Sequence, residues 1–241
     1  MFGCTRTFDR MRPTMFFCTA LGCFRWLAVT ALVCIPTALP PWAVAADIPE
    51  PPENLFGEAT RLFFAGKPLE SSQLFDRLAR ARPEIELQLW QRGLALYYAD
   101  RFADGRQQFE EHRKVNPNDI ENATWHFACV ARQSGKEAAQ KALLVVGQDR
   151  RIPLKEVLDF YAGRADSAAV LMAAEVGAQT ARRDQLFYAH LYLGLYSESL
   201  GEADRAKHHI CLAAGPFSME HYMGRVAQMH AALRGWTPDD K

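Results

Sequence analysis

An excess of charge of either sign is missing from this 241-residue chain: Lys+Arg and Asp+Glu both number 28. There is therefore no basic field for nucleic acid and no acidic tail. Cysteine is scarce. Of six, Cys4, Cys18, Cys23 and Cys34 lie in the first 46 residues, which leaves Cys129 and Cys211 for everything else. Two thiols so far apart in sequence predict no disulfide framework. Phosphate-binding glycine loops, the nucleophile elbow and paired metal motifs are absent from the sequence, so neither enzyme chemistry nor a cofactor is expected. The seven histidines do not supply a metal site. His208 and His209 are adjacent, which on a helix turns them about 100° apart. His221 and His230 are nine residues apart, where three or four would align two ligands. His126 and Cys129 are spaced like a base and a nucleophile on one helix, but neither has an orienting partner in sequence. Cysteine is among the most buried residue types, so core is the expected place for both.

Long apolar runs are also lacking. The longest informative one, Trp26–Leu39, falls short of the roughly 20 residues of a spanning helix and is interrupted by Pro36. It follows Arg6, Arg10, Arg12 and Arg25, opposed by Asp9 alone, and precedes Ala43-Val44-Ala45-Ala46. A basic start, a short apolar segment and small residues form the order of a secretory signal peptide. Residues 1–46 are read as that leader, cut after Ala45 or Ala46, which leaves a mature chain without a transmembrane span, periplasmic or secreted. Cys34 follows Ala31-Leu32-Val33 and lacks the residues of a lipidation site, so no lipid anchor is expected. Residues 47–53, rich in proline, are a flexible lead-in.

What the chain does have is a spacing. In Glu86–Asp119, small or apolar residues fall at Leu89, Gly93, Leu96 and Tyr97, then at Phe102, Gly105, Phe109 and His112, before Pro117. That predicts two helices and a tight turn, with Gly93 and Gly105 allowing close approach and Phe109 filling the space they leave. Pro117 stops the second helix and Asp119 caps the next. Moved back by 34 residues, the frame puts Ala59 at the place of Gly93, Ser71 at Gly105, Phe75 at Phe109 and Pro83 at Pro117. Pro68 opens the second helix of that unit. Ahead, a third unit runs through Ala128 to Gly135, its second helix over 136–146. A clear unit returns at Phe187–Gly215, with Gly194, Ala206 and Ile210 in the corresponding places. Between them, residues 148–183 lose the period and predict two shorter helices joined at Gly163, with a turn at 182–184. A last helix over 219–234 closes the open end. The expected divisions are therefore 54–147 for the first repeats, 148–183 for the irregular middle and 184–236 for the last repeat and its cap.

This 34-residue pattern resembles the tetratricopeptide repeat. Arg92–Asp100, Asn116–Asp119, Val157–Gly163 and Tyr192–Ala206 together make the chain look most like the NlpI type of bacterial periplasmic lipoproteins. The resemblance implies an all-α solenoid of helix pairs and an adaptor for cell-wall hydrolases and a periplasmic protease, as a homodimer. In such stacks the first helix of each pair lines an inner groove. The corresponding residues here are Phe56, Phe63, Phe64, Trp90, Leu94, Tyr97, Tyr98 and Trp125, an aromatic surface suited to a protein or peptide partner. The same residues also suit a core between neighbouring pairs. The last unit offers Tyr188, Leu191, Leu195 and Glu198. The set of Lys, Arg and Asn that clamps a terminal carboxylate is missing. A different expectation is a structural subunit that self-associates through its outer face or last helix.

Overall fold

Helix ends in this chain fall where proline, glycine and side-chain caps put them. The computed structural model describes residues 52–238, all within one compact unit. The expected leader and the first residues of the lead-in lie outside the described residues. Among the described residues there are α-helices and one 3-10 helix, and no strand. The helices are α1 (Pro52–Phe64), α2 (Pro68–Ala81), α3 (Trp90–Tyr98), α4 (Phe102–His112), α5 (Ile120–Lys141), α6 (Leu154–Tyr161), α7 (Ser167–Ala174), α8 (Gln179–Ser199), α9 (Ala203–Ala214) and α10 (Tyr222–Leu233). Pro52 and Pro68 open their helices, where a missing amide hydrogen breaks no helical bond. Asp119 caps α5 by accepting from the Glu121 amide.

The small-residue spacing closes on the expected contacts. A Cβ added at Gly93 would lie 2.5 Å from Phe109 Cζ, and one at Gly194 would lie 2.7 Å from Ile210 Cδ1. Each glycine thus admits a bulky side chain from the next helix of its own pair, α4 onto α3 and α9 onto α8. In α1 and α2 the two small positions, those of Gly93 and Gly105, are joined by a hydrogen bond: Ser71 Oγ donates to the Ala59 carbonyl at 2.7 Å. Asp76 then ties α2 to the following pair, accepting from Arg92 at 2.8 Å and Arg101 at 2.6 Å.

Four boundaries differ from expectation. Pro83 leads into a 3-10 helix over Pro83–Gln88, so the first helix of the second unit starts at Trp90 and not near Glu86. Pro52 and Glu53, expected in the lead-in, begin α1. The helix expected over 136–146 ends at Lys141, after a break at Gly135, where φ is +83°. Val145 and Val146 disfavour a helix. The segment after it instead pairs with the stretch before α5, Gly147 donating to the Pro117 carbonyl at 3.0 Å and Ile120 to Asp149 at 3.3 Å. The turn expected at 182–184 lies inside α8. The chain turns earlier, at Gly177, whose φ is +99°, and Ala181-Arg182-Arg183 has nothing to stop a helix.

Each helix packs on the next in chain order, and α5 also meets α8. The last helix does more than cover α9: α10 returns to touch α1. Its apolar residues Val226, Ala227 and Met229 are buried.

Candidate functional site

Six of the eight predicted groove residues come together, and what joins them is α10. Ring contacts run from Trp90 to Tyr222 at 4.8 Å, from Tyr222 to Phe64 at 4.8 Å, then through Phe63, Tyr98 and Trp125 to Tyr97. Arg225 lies 3.8 Å over the Phe64 ring. The aromatic face of α1, α3 and α5 is thus covered by the chain's own last helix. Of the remaining two, Leu94 is fully buried in the core, and Phe56, 38% exposed, packs edge-on against Phe75. Leu191 and Leu195 of α8 are fully buried, and Tyr188 stacks on His221.

Helix α10 is fastened at its C-terminal end by a buried polar network. Glu198 accepts from the Tyr97 hydroxyl at 2.8 Å and from Arg234 Nε at 2.6 Å. His230 Nε2 lies 3.1 Å from the same carboxylate, off the line of a hydrogen bond, while Nδ1 is 2.8 Å from the Tyr98 hydroxyl. Burial alone would raise the Glu198 carboxyl, but His230 and Arg234 outweigh it and hold the pKa at about 2. At the other end His221 caps the helix, its Nδ1 accepting from the amides of Met223 and Gly224 at 3.1 and 3.3 Å. Desolvation lowers the His221 pKa, which favours the neutral ring that such a cap requires.

Beside that cap the face is not filled. A cavity of about 220 Å³ is lined by Trp90, Trp125, Asn122, Tyr222 and the carboxylate residues Asp119 and Glu121, among others. Trp125 Nε1, Asn122 Oδ1 and the Tyr222 hydroxyl are buried without a hydrogen-bond partner. Each such orphan costs about 1–3 kcal/mol. Arg151 binds Asp119 at 2.9 Å, Asp149 at 2.5 Å and also Glu121, which accepts in addition from the Tyr192 hydroxyl. Burial pushes the Glu121 carboxyl above its usual range in spite of Arg151.

Of the other sequence candidates, Cys129, Cys211, His126 and His209 are buried or half-buried within the fold. Cys129 is fully buried, burial pushes its thiol far above the usual range, and no disulfide joins it to Cys211. His126 Nε2 meets Glu110 at 3.1 Å. His209 pairs with His190, Nδ1 to Nδ1 at 2.9 Å, and burial holds both near 4. Among the described residues no group of three or more His, Cys, Asp or Glu is placed to hold a metal ion. No helix among them is long and apolar enough to cross a membrane.

Sequence reasoning missed the α10 side of this face. The signal was present: Tyr222, His230 and Arg234 are polar-tipped groups on a helix otherwise read as a cap, and they become buried or half-buried. No family model matches the chain, so the reading of this face rests on its geometry.

Proposed function

We propose that this chain is an exported, non-enzymatic adaptor of the cell envelope, a tetratricopeptide-type protein of the NlpI kind that holds a protein segment on its aromatic inner face. The observation that carries the reading is the seating of α10 there. A helix with apolar, aromatic and cationic side chains lies against Phe64, Trp90 and Tyr98, which is how an amphipathic partner helix engages a groove. The chain's own helix then acts as a resident occupant that a partner displaces or extends. The small-residue contacts at Gly93 and Gly194 support the repeat reading, and the basic leader with its short apolar run supports export.

The test is crosslinking and pull-down from native envelope extract with the full chain and with a Phe64→Ala, Trp90→Ala double variant. Both residues are half-buried, so the variant is expected to keep its helix content while losing the captured partners. Capture of the same partners by the folded double variant removes the reading. Export is checked separately by N-terminal sequencing of the envelope-fraction protein, expected to start at Ala46 or Asp47. Self-association through the last helix has less support, because the apolar face of α10 is already used within the chain.

A further inference from the structure

The helix that covers the ring face is fastened at its start by a group that titrates. His221 Nδ1 accepts from the Met223 and Gly224 amides at 3.1 and 3.3 Å, so the single proton of the neutral ring sits on Nε2, which faces the Tyr188 hydroxyl at 3.4 Å. The usual capping residues, Ser, Thr, Asp and Asn, keep their acceptor oxygen in mild acid. An imidazole does not. A proton added at Nδ1 turns the acceptor into a donor aimed at two other donors, and it sets a cation at the positive end of the helix.

The groups around the ring leave this conflict in place. From α8, Asp184 favours the protonated form, while Tyr188 stacks on the ring and Phe187 meets it edge-on. Across the adjoining cavity stand Asp119 and Glu121, both bound by Arg151. On its own segment Glu220 precedes His221 and Arg225 follows it. Desolvation outweighs Asp184 and holds the ring below its ordinary 6.5.

What the cap keeps in place is Tyr222, the first residue of α10, whose ring reaches Phe64 and Trp90 at 4.8 Å each. Its hydroxyl makes no hydrogen bond that would add to these contacts, and the cavity adjoins the same turn. The chain is fixed on both sides. Arg183 of α8 donates to the Ser218 carbonyl at 2.8 Å ahead of the cap, and Arg234 holds Glu198 behind it. Opening is thereby confined to the first turn.

We propose that the first turn of α10 is a pH-sensitive strap: a proton on His221 Nδ1 unfastens residues 221–224, and Tyr222 swings off Phe64 and Trp90 to uncover the ring face, while the Glu198 end stays seated. The proposal concerns α10 and not the adaptor reading, and it holds whether or not a partner takes the uncovered face.

The full chain is followed by NMR from about pH 7.5 to about 5, a range that spans the titration of imidazole. The Trp90 indole resonances are assigned with Trp90→Phe. The readouts are the nuclear Overhauser contact between Trp90 and Tyr222 and the protection of the Met223 and Gly224 amides, corrected for intrinsic exchange. As the His221 ring takes its proton, the contact is expected to weaken and the protection to fall about tenfold or more, from loss of the cap plus repulsion by the helix end. The Arg234 Nε–H resonance is expected to stay unchanged. His221→Ala is expected to show protection lowered about fivefold at neutral pH and no further change in acid. His221→Asp, a cap that stays ionised down to about pH 4, is expected to keep Tyr222 on the rings throughout.

Persistence of the Trp90 to Tyr222 contact after the His221 ring resonances show its protonation overturns the proposal. An acid transition retained in His221→Asp assigns the opening to another group and overturns it too. So does release of the Arg234 end together with the first turn. Should His221→Ala fail to fold, the parent and His221→Asp carry the test by themselves. Loss of captured envelope proteins in the Phe64→Ala, Trp90→Ala variant bears only on the adaptor, so the two readings fail separately.

Discussion

The two ends of α10 are held to the same aromatic face by opposite means. At the C-terminal end polar groups converge on a buried carboxylate: Glu198 takes Tyr97 and Arg234 and lies 3.1 Å from His230 Nε2, Tyr98 meets His230 Nδ1, and Trp236 stacks on His230. At the N-terminal end the contacts are rings, Tyr222 against Phe64 and Trp90, and three polar atoms beside the cavity have no partner. A buried carboxylate with its cations fixes register, because any slip of the helix strands a charge away from water. Ring contacts tolerate sliding. The comparison teaches that α10 is held by a buried charge network at one end and by a cap and ring contacts at the other.

Removing the anchor has the largest expected effect. Glu198→Ala leaves Arg234 and His230 without their carboxylate in a buried site, a loss of about 3–5 kcal/mol. Urea denaturation measures it, and a variant as stable as the parent would erase the contrast between the ends. Acid separates them next. His221 and Glu198 both have lowered pKa values in the fold, so each contributes stability above its unfolded pKa and loses it as pH falls through the folded one. For His221 that loss begins below its ordinary 6.5, when a proton on Nδ1 ends the cap. For Glu198 it falls between its ordinary 4.5 and about 2. Amide exchange at Met223 and Gly224 is therefore expected to quicken at mildly acidic pH while the Arg234 end stays protected. Simultaneous loosening of both ends contradicts this order. His221→Ala removes the same cap at neutral pH and is expected to cost about 1 kcal/mol, read from the same denaturation curves.

How much of this was legible in the sequence depends on distance along the chain. Gly93 with Phe109, Gly194 with Ile210, Pro68 and Asp119 all act within one helix pair or one turn, and their spacing predicts the contacts that form. Rings at Phe63, Phe64, Trp90, Tyr97, Tyr98 and Trp125 were likewise predicted to share a face, since one helical period orders them. Periodicity says nothing about which distant helix covers that face. Tyr97 meets Glu198 across 101 residues and Tyr98 meets His230 across 132. A helix with one apolar side reads as a cap wherever it docks, and only a buried polar group such as His230 hints that it docks on something polar. The misplaced turn at 182–184 has a local cause. The 34-residue period resumes only at Phe187, which puts the expected turn just before it, although α8 needs only residues that do not stop a helix.

Tyr222→Phe is the smallest and sharpest test of the contrast. The phenol lies in the ring chain at 4.8 Å from both Phe64 and Trp90, yet its hydroxyl is buried without a partner. Removing a hydroxyl that makes no protein hydrogen bond keeps the ring contacts and ends a desolvation penalty. The variant is thus expected to match the parent within about 0.5 kcal/mol or to exceed it. Had the N-terminal end been built like the C-terminal one, the same change would cost about 1–3 kcal/mol, as loss of a buried bonded group does. A clear loss of stability in Tyr222→Phe, measured by thermal melting beside Glu198→Ala, would mean that the hydroxyl is engaged within the fold and that both ends of α10 are anchored.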